Sequence, residues 1–201
     1  MAKPIQLGVM ALILAFSVPT FAKGERYGVV ASMKTIESTE YEQGMSGELS
    51  TISYGLVHTR PIDENNNRWR WWLGFNYLSD YIDAPANGVY QEVTNYELRI
   101  VPQFALGNWW AFTPYVGAGL SLGYSQYGNR WEVDEDGYKY DKQQLDDIDQ
   151  FEVGAVFSFG TVIKIGSNPD AHLQLIPQAS YIQPIYNDGL GGLELSVSLL
   201  F

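Results

Sequence analysis

After residue 22 the sequence alternates between apolar and polar side chains with a period of two, and no stretch follows the 3.6-residue period of a helix. In residues 69–79, for example, Arg70, Gly74 and Asn76 stand between aromatic and aliphatic side chains. The alternating segments are residues 26–35, 49–59, 69–79, 93–104, 110–124, 151–164, 171–181 and 192–201. Because successive side chains of a β-strand point to opposite faces, the pattern predicts eight strands, each with one apolar face.

The connections between these segments differ in length on the two sides of the predicted sheet. Residues 61–68, 105–108 and 165–170 form short connections, whereas residues 36–48, 80–92, 126–150 and 182–191 form mostly longer ones. Each segment has about the length that a tilted strand needs to cross a bilayer. This layout is typical of an outer-membrane barrel, with both chain ends on the periplasmic side. The sequence therefore predicts an all-β fold, an eight-stranded antiparallel transmembrane up-and-down β-barrel, monomeric in the membrane.

The composition distinguishes this barrel from a soluble β-sandwich. Only 17% of the residues are charged and 14% are aromatic, whereas soluble domains average about a quarter charged residues. The polar faces of the segments carry mostly Gly, Ser, Thr, Gln and Asn, with a few charges of both signs. Such faces suit a packed barrel interior, where each polar group needs a partner. Pro177 fits least well, since it must give up a ladder hydrogen bond or lie in a bulge.

The net charge of -11 and the absence of cysteine argue against several functions. Nucleic-acid binding needs clustered Lys and Arg, so no nucleic-acid partner is expected. A chain without cysteine has no disulfide framework and no thiolate zinc or iron–sulfur site. We expect no cofactor.

The first 22 residues have the features of a signal peptide. Lys3 precedes an apolar run over residues 7–16, and Thr20 and Ala22 provide the small residues of a cleavage site. A membrane anchor helix is the alternative, but the run is shorter than the ~20 residues that a spanning helix needs, and Pro19 ends it. We therefore predict a signal peptide over residues 1–22, cleavage after Ala22 and a barrel domain over residues 23–201.

Two stretches resemble a known family. The run 114–120, Pro-Tyr-Val-Gly-Ala-Gly-Leu, and the last strand, which ends in Phe201, resemble small Gram-negative outer-membrane β-barrel proteins of the OmpA membrane-domain, OmpX and OmpW types. In such proteins a terminal aromatic residue is read by the barrel-assembly machinery. The resemblance implies that signal at Phe201, that machinery as a partner during biogenesis, and outer-membrane lipid and lipopolysaccharide as surroundings.

Barrels of this size include lipid A-modifying enzymes, so the two histidines are candidate catalytic residues. A serine esterase needs a histidine within reach of a serine and oriented by an acid. His58 and His172 both fall near the predicted periplasmic rim, whereas lipid A lies in the opposite leaflet. We therefore predict that the protein is not an enzyme and that both histidines are polar residues of the rim.

Six charged residues fall on the inward faces of the predicted strands. They are Arg70, Glu97, Arg99, Glu152, Lys164 and Glu194. They either form a gated polar path or pair with one another to fill a narrow lumen, and the second interpretation is favoured because an unpaired buried charge is costly. A conduit for hydrophobic ligands of the OmpW type stays open, since apolar residues interrupt the polar faces at Trp72, Leu78, Val156 and Ile176.

The predicted loop over residues 126–150 is strongly acidic. Residues 132–137 read Glu-Val-Asp-Glu-Asp-Gly and match the start of a calcium loop, which makes Glu132, Asp134 and Asp136 weak candidates for metal ligands. The twelfth position is Gln143 instead of the bidentate Glu that such a site requires, so a solvated acidic loop is the favoured interpretation.

Aromatic residues cluster towards both ends of the predicted strands. Trp69, Trp71, Trp109 and Trp110 fall near the short turns, and Tyr77, Tyr81, Tyr90, Tyr124, Tyr127 and Tyr181 fall near the long loops. Two aromatic belts at the membrane interfaces explain this distribution without a ligand. The sequence favours a structural or surface-interaction role; a narrow channel or transporter is the alternative, and a lipid A-modifying enzyme comes third.

Overall fold

Eight antiparallel strands form one closed sheet in the computed structural model of the protein. They are β1 (Arg26–Glu37), β2 (Glu48–Asp63), β3 (Asn66–Ile82), β4 (Val89–Ala105), β5 (Phe112–Glu132), β6 (Ile148–Ile165), β7 (Leu173–Tyr186) and β8 (Gly192–Leu200). Each strand pairs with its sequence neighbours, and β1 pairs with β8. The predicted barrel is confirmed. The structure describes residues 24–37, 48–63, 66–82, 89–107, 112–132, 143–166, 173–186 and 190–201, so the predicted signal peptide lies outside the described residues.

The two faces of the sheet have opposite chemistry, as β4 shows. Glu97 and Arg99 point inward and are 5% and 1% exposed, whereas Leu98 and Ile100 point outward and are 41% and 37% exposed. An apolar exterior around a polar interior is the arrangement that hydrocarbon surroundings require of a membrane barrel. Within the described part of the chain, no helix is long and apolar enough to cross a membrane.

The strands on the long-loop side are longer than the sequence predicts. β5 continues to Glu132 and β6 begins at Ile148, so the connection between them is shorter than the loop predicted over residues 126–150. Likewise, β3 and β4 take most of the predicted loop 80–92. About 9–11 tilted residues span the hydrocarbon, so β3 to β6 extend past it. Beyond the bilayer the outward face of a strand meets water and accepts polar residues, so the apolar–polar alternation that marks a strand in the sequence disappears.

This extension is held together by its own hydrogen bonds. Trp131 pairs with Gln144, and the Leu145 N–H donates to the Arg130 carbonyl oxygen at 2.9 Å. The Arg130 guanidinium in turn donates to the Asp146 carbonyl oxygen at 2.8 Å. We call the described residues 79–82, 89–93, 126–132 and 143–150 the extracellular stem, because only two residues separate β2 from β3 at the opposite side and short connections mark the periplasmic side.

Pro177 and Pro102 interrupt the sheet without changing its register. The β6–β7 pairing passes from Gly160 and Gln178 directly to Ile163 and Leu175. The β4–β5 pairing has the same two-residue gap beside Pro102. Proline has no N–H to donate, so each gap costs ladder hydrogen bonds. Of the two outcomes predicted for Pro177, the structure shows the lost ladder bond and not the bulge.

An aromatic belt follows the register of the sheet on its outer surface. Five aromatic residues on adjacent strands pair in one continuous row, Tyr54, Tyr77, Tyr96, Tyr124 and Phe151. A Trp69–Phe104 contact, with ring centroids 4.9 Å apart, lies towards the periplasmic side. Tyr127 does not join a belt, because it points inward and is 2% exposed. Trp109 and Trp110 lie outside the described residues.

The interior leaves no space for a side chain at Gly74. A Cβ atom there would overlap the buried Trp72 ring. We expect Gly74→Ala to lower the free energy of unfolding by about 1–3 kcal/mol, the usual cost of overpacking. Gly128→Ala is the matched control, since its nearest neighbour would be an Asp147 carboxylate oxygen at 3.7 Å. Urea unfolding in lipid vesicles measures both variants, and equal stabilities would show that Trp72 is not fixed in place.

Candidate functional site

A cluster of four charges lies across the middle of the barrel interior. The Arg99 guanidinium donates to both carboxylate oxygens of Glu194, from Nη1 at 2.6 Å and from Nη2 at 2.7 Å. Nη2 also donates to Glu97 Oε2 at 2.6 Å, and Lys34 Nζ lies 3.8 Å from the same oxygen. All four side chains are buried. We call these residues the charge cluster.

The charge cluster balances two cations against two carboxylates. Arg99 and Glu194 form a bidentate pair, which is among the stronger polar contacts in proteins. Buried ions are costly unless their geometry and hydrogen bonds compensate for lost water. Three hydrogen bonds from the Arg99 guanidinium supply part of this compensation, while the buried Arg99 Nε makes no hydrogen bond to the described residues. The cluster occupies the centre of the lumen, so an ion crossing the barrel would have to displace it.

An apolar layer fills the interior on the periplasmic side of the charge cluster. Its buried members are Val57, Trp72, Val101, Tyr115, Val156, Val162, Ile176 and Leu200, and the same set of contacts continues upward to Ile182, which reaches the height of Lys34 and Glu97. Arg70 reaches into this layer, where its guanidinium lies 4.6 Å from the centre of the Tyr115 ring. Arg70 Nε donates to Gln103 Oε1 at 2.7 Å, and the Tyr115 hydroxyl donates to Gln178 Oε1 at 2.7 Å. Packed side chains thus replace an open path.

A second apolar layer closes the interior on the extracellular side. Leu78, Val93, Tyr127 and Leu190 pack together there, and all are at most 5% exposed. Leu190 belongs to the β7–β8 connection, and its N–H donates to Glu152 Oε2 at 3.1 Å. The Tyr127 hydroxyl and the Gln150 amide donate to Glu152 Oε1 at 3.2 and 2.9 Å. The β7–β8 connection therefore places Leu190 inside the extracellular end of the barrel.

Between the charge cluster and this upper layer lies a cavity of about 10 Å³. Lys34, Asn95, Glu97, Ser121 and Glu152 provide its polar lining. This volume is about that of one water molecule's probe sphere. It is far below the volume that a small-molecule substrate occupies in a binding site.

The structure separates the six charges predicted for the lumen. Glu97, Arg99 and Glu194 meet in the charge cluster, Glu152 lies above it and Arg70 below it. The prediction that Lys164 lies in the lumen is wrong, because this residue is exposed one position before the end of β6. Lys164 lies at an inward-pointing position of the strand, but the barrel is open to solvent at that height.

Sequence reasoning missed two interior residues that contribute to this arrangement. Lys34 lies at an inward-pointing position of β1. The alternation of inward and outward positions along that strand could therefore have identified it as an interior charge. Leu190 had no such signal, because it lies in the short stretch 187–191, Asn-Asp-Gly-Leu-Gly, outside any alternating segment. The glycines beside it were the one hint of a chain folding back closely.

The structure does not place His58 in the barrel interior. His58 points outward and stacks on the Tyr27 ring, with centroids 4.3 Å apart. His172 lies outside the described residues. Of the metal-ligand candidates, Glu132 is exposed at the end of β5, while Asp134 and Asp136 lie outside the described residues. In the part of the chain that the structure describes, no three His, Cys, Asp or Glu residues come close enough to hold a metal ion.

Phe201 lies directly after β8 and continues its pairing with β1. The Phe201 N–H donates to the Tyr27 carbonyl oxygen at 2.9 Å, and the Tyr27 N–H donates to the Phe201 carbonyl oxygen at 3.3 Å. The Phe201 side chain is 38% exposed on the outer surface. Its role as an assembly signal stays a prediction.

Comparisons with known proteins agree with this architecture. The model of a family described as outer membrane protein beta-barrel domain matches residues 8–195. The fold is similar to Neisserial surface protein A, with a TM-score of 0.60 and 17% identity over 90% of this chain and 98% of that one. It is also similar to Ail, the attachment invasion locus protein of Yersinia pestis, solved with the heparin analogue sucrose octasulfate. There the TM-score is 0.51 and the identity 13%, over 90% of this chain and 100% of that one. Comparison with curated proteins found no match.

Proposed function

The chain belongs to the outer membrane protein β-barrel domain family, and from that premise we propose that it is a closed, non-enzymatic barrel that acts at the surface of a Gram-negative cell through its extracellular stem and loops. The observation that carries this proposal is the filled interior. The charge cluster and the two apolar layers occupy the lumen, and the chemistry available to a partner is therefore on the outside. The proposal includes export by a signal peptide cleaved after Ala22.

The extracellular stem supports a role in surface contact. β5 has 21 residues, about twice the 9–11 that a tilted strand needs to span the hydrocarbon. A purely structural barrel gains nothing from strands that continue into water, whereas a binding surface gains rigidity because its contacts are held in place by a sheet. The proposed contact surface is therefore paired β structure, with the loops as its outer edge.

The charge of the stem limits the chemistry of its partner. Its described acidic residues are Asp80, Glu92, Glu132, Asp146, Asp147 and Asp149. Arg130 is 5% exposed and donates to Gln91 Oε1 at 3.2 Å, so its guanidinium points into the barrel and does not offset the acidic residues at the surface. A polyanion such as the heparin analogue bound by Ail would be repelled here. The proposed partner is a cationic or uncharged surface.

A narrow transporter is the second candidate function, supported by the apolar interruptions of the polar faces. Trp72, Leu78, Val156 and Ile176 do point inward, but each is at most 3% exposed and packed against its neighbours. They fill the space that a hydrophobic conduit would need. We therefore place the surface role first.

The proposal predicts that the purified protein conducts no ions. In planar bilayers we expect no stepwise conductance above the baseline, because the charge cluster and the apolar layers block the lumen. A porin reconstituted in the same lipids provides the positive control. Regular conductance steps that scale with protein concentration would favour the transporter.

Mass analysis of lipid A from cells with and without the protein tests the enzymatic alternative, and any new modification would overturn the non-enzymatic assignment.

A further inference from the structure

An apolar groove of about 810 Å³ crosses the outer face of the barrel. It runs over six adjacent strands, from β5 through β6, β7, β8 and β1 to β2. Phe112, Phe159, Pro177, Val197, Met33 and Ile52 mark its course. A barrel exterior is convex, so a concavity of this size needs a cause in the side chains.

Small residues form the floor of the groove. Ala31, Pro177 and Ala179 lie on its floor, and the register places Ala31 and Pro177 on either side of Val197. Larger side chains stand out from the surface around them, with Ile52 and Phe159 56% and 58% exposed. The sequence thus places short side chains on two strands, β1 and β7, and the surface is indented on both sides of Val197 on β8.

The lining identifies the chemistry of the occupant. None of the described residues that line the groove is charged, and the groove lies within the outward-facing apolar surface. A second barrel is a poor occupant, because two convex surfaces touch along a narrow contact and would leave the floor unfilled. A flexible hydrocarbon chain can follow a curved, shallow groove and fill it.

The height of the groove identifies the leaflet. Phe112 and Pro114 lie at the start of β5, at its periplasmic end. From there the groove rises to Met33 and Ile52, which lie well above the periplasmic ends of β1 and β2. A lipid with its headgroup at the periplasmic interface would extend its tail along this course. We therefore propose that the groove binds one acyl chain of a phospholipid from the periplasmic leaflet.

Electron paramagnetic resonance of a spin-labelled lipid tests this proposal. Wild-type protein is reconstituted into vesicles that contain phosphatidylethanolamine with a nitroxide in the middle of one acyl chain. We expect a motionally restricted component beyond the general boundary lipid. Ala179→Leu raises the floor and should remove that component. Ala118→Leu is the matched control, since Ala118 is exposed on the outer face of β5 but does not line the groove, and it should keep the component.

The remaining outcomes each decide the question. Wild type and Ala179→Leu with equal restricted fractions would overturn the proposal. A component seen with spin-labelled lipid A, and not with the phospholipid, would assign the groove to the other leaflet and overturn the choice of ligand. A cross-linked dimer lost in Ala179→Leu would make the groove a protein interface instead. Ala31→Leu repeats the test if Ala179→Leu lacks the gel mobility shift of a folded barrel.

Discussion

Replacing Arg99 with Met should lower the free energy of unfolding by about 3–5 kcal/mol, the usual cost of removing one partner from a buried ion pair. Arg99 is 1% exposed and its guanidinium contacts Glu97 and Glu194. Without it, two buried carboxylates face each other with Lys34 as the remaining cation of the charge cluster. Urea unfolding in lipid vesicles, followed by tryptophan fluorescence, measures the loss.

Two further variants make this result specific. Arg60→Met breaks the surface ion pair between the exposed Arg60 and the partly buried Glu25, 3.4 Å apart, and should cost about 0–1 kcal/mol. Adding Glu194→Gln to Arg99→Met removes one of the unpaired carboxylates and should recover part of the loss. If Arg99→Met cost no more than Arg60→Met, the charge cluster would be hydrated in solution and the lumen more open than proposed.

Placing an arginine at Leu98 should destabilise the barrel by about 2–4 kcal/mol, the cost of a cation on the lipid face near the bilayer midplane. Leu98 is 41% exposed on the outer surface, between the inward-pointing Glu97 and Arg99. Phe157, 56% exposed on β6, should respond to arginine in the same way. Folding yield and unfolding free energy in vesicles report the effect.

The control for this experiment lies on the same outer face but close to the interface. Ile165 is the last residue of β6 and is 42% exposed, and arginine there should cost about 0–1 kcal/mol because its charge can reach water. A similar cost at Leu98 and Ile165 would contradict the assignment of inward and outward positions. A one-residue change of register exchanges the two faces of a strand, so this comparison is a direct test of register.

The membrane-spanning part of the fold could be predicted because a single physical requirement acts on every second residue. Hydrocarbon accepts Leu98 and excludes Glu97, and this contrast is visible in one sequence without any alignment. The requirement ends at the membrane surface. Residues such as Arg130 and Trp131 lie in a strand whose two faces both meet polar surroundings, so their pairing could not be predicted from alternation.

The contents of the interior could be predicted, but its contacts could not. The alternation of side chains along each strand identifies Glu97, Arg99 and Glu194 as inward-pointing. It does not give the height of each residue along the barrel axis. Height depends on the stagger of each pair of strands, and that stagger is set by the packing of the whole ring. Lys164 shows the same limit, since it has the correct parity but lies at a height where the barrel is no longer closed to water.

The bridge between Arg99 and Glu194 also bears on how the chain reaches its folded state. Arg99 lies on β4 and Glu194 on β8, half a turn apart in the ring of eight strands, so their bond spans the diameter. Before β8 is in place, the charge cluster holds Lys34 and Arg99 against Glu97 alone, and an unmatched cation opposes entry into hydrocarbon. The final strand supplies both the missing carboxylate and the hydrogen bonds that join it to β1 and β7. The charge cluster therefore becomes neutral in the same step that closes the ring, and we expect insertion to be cooperative for that reason.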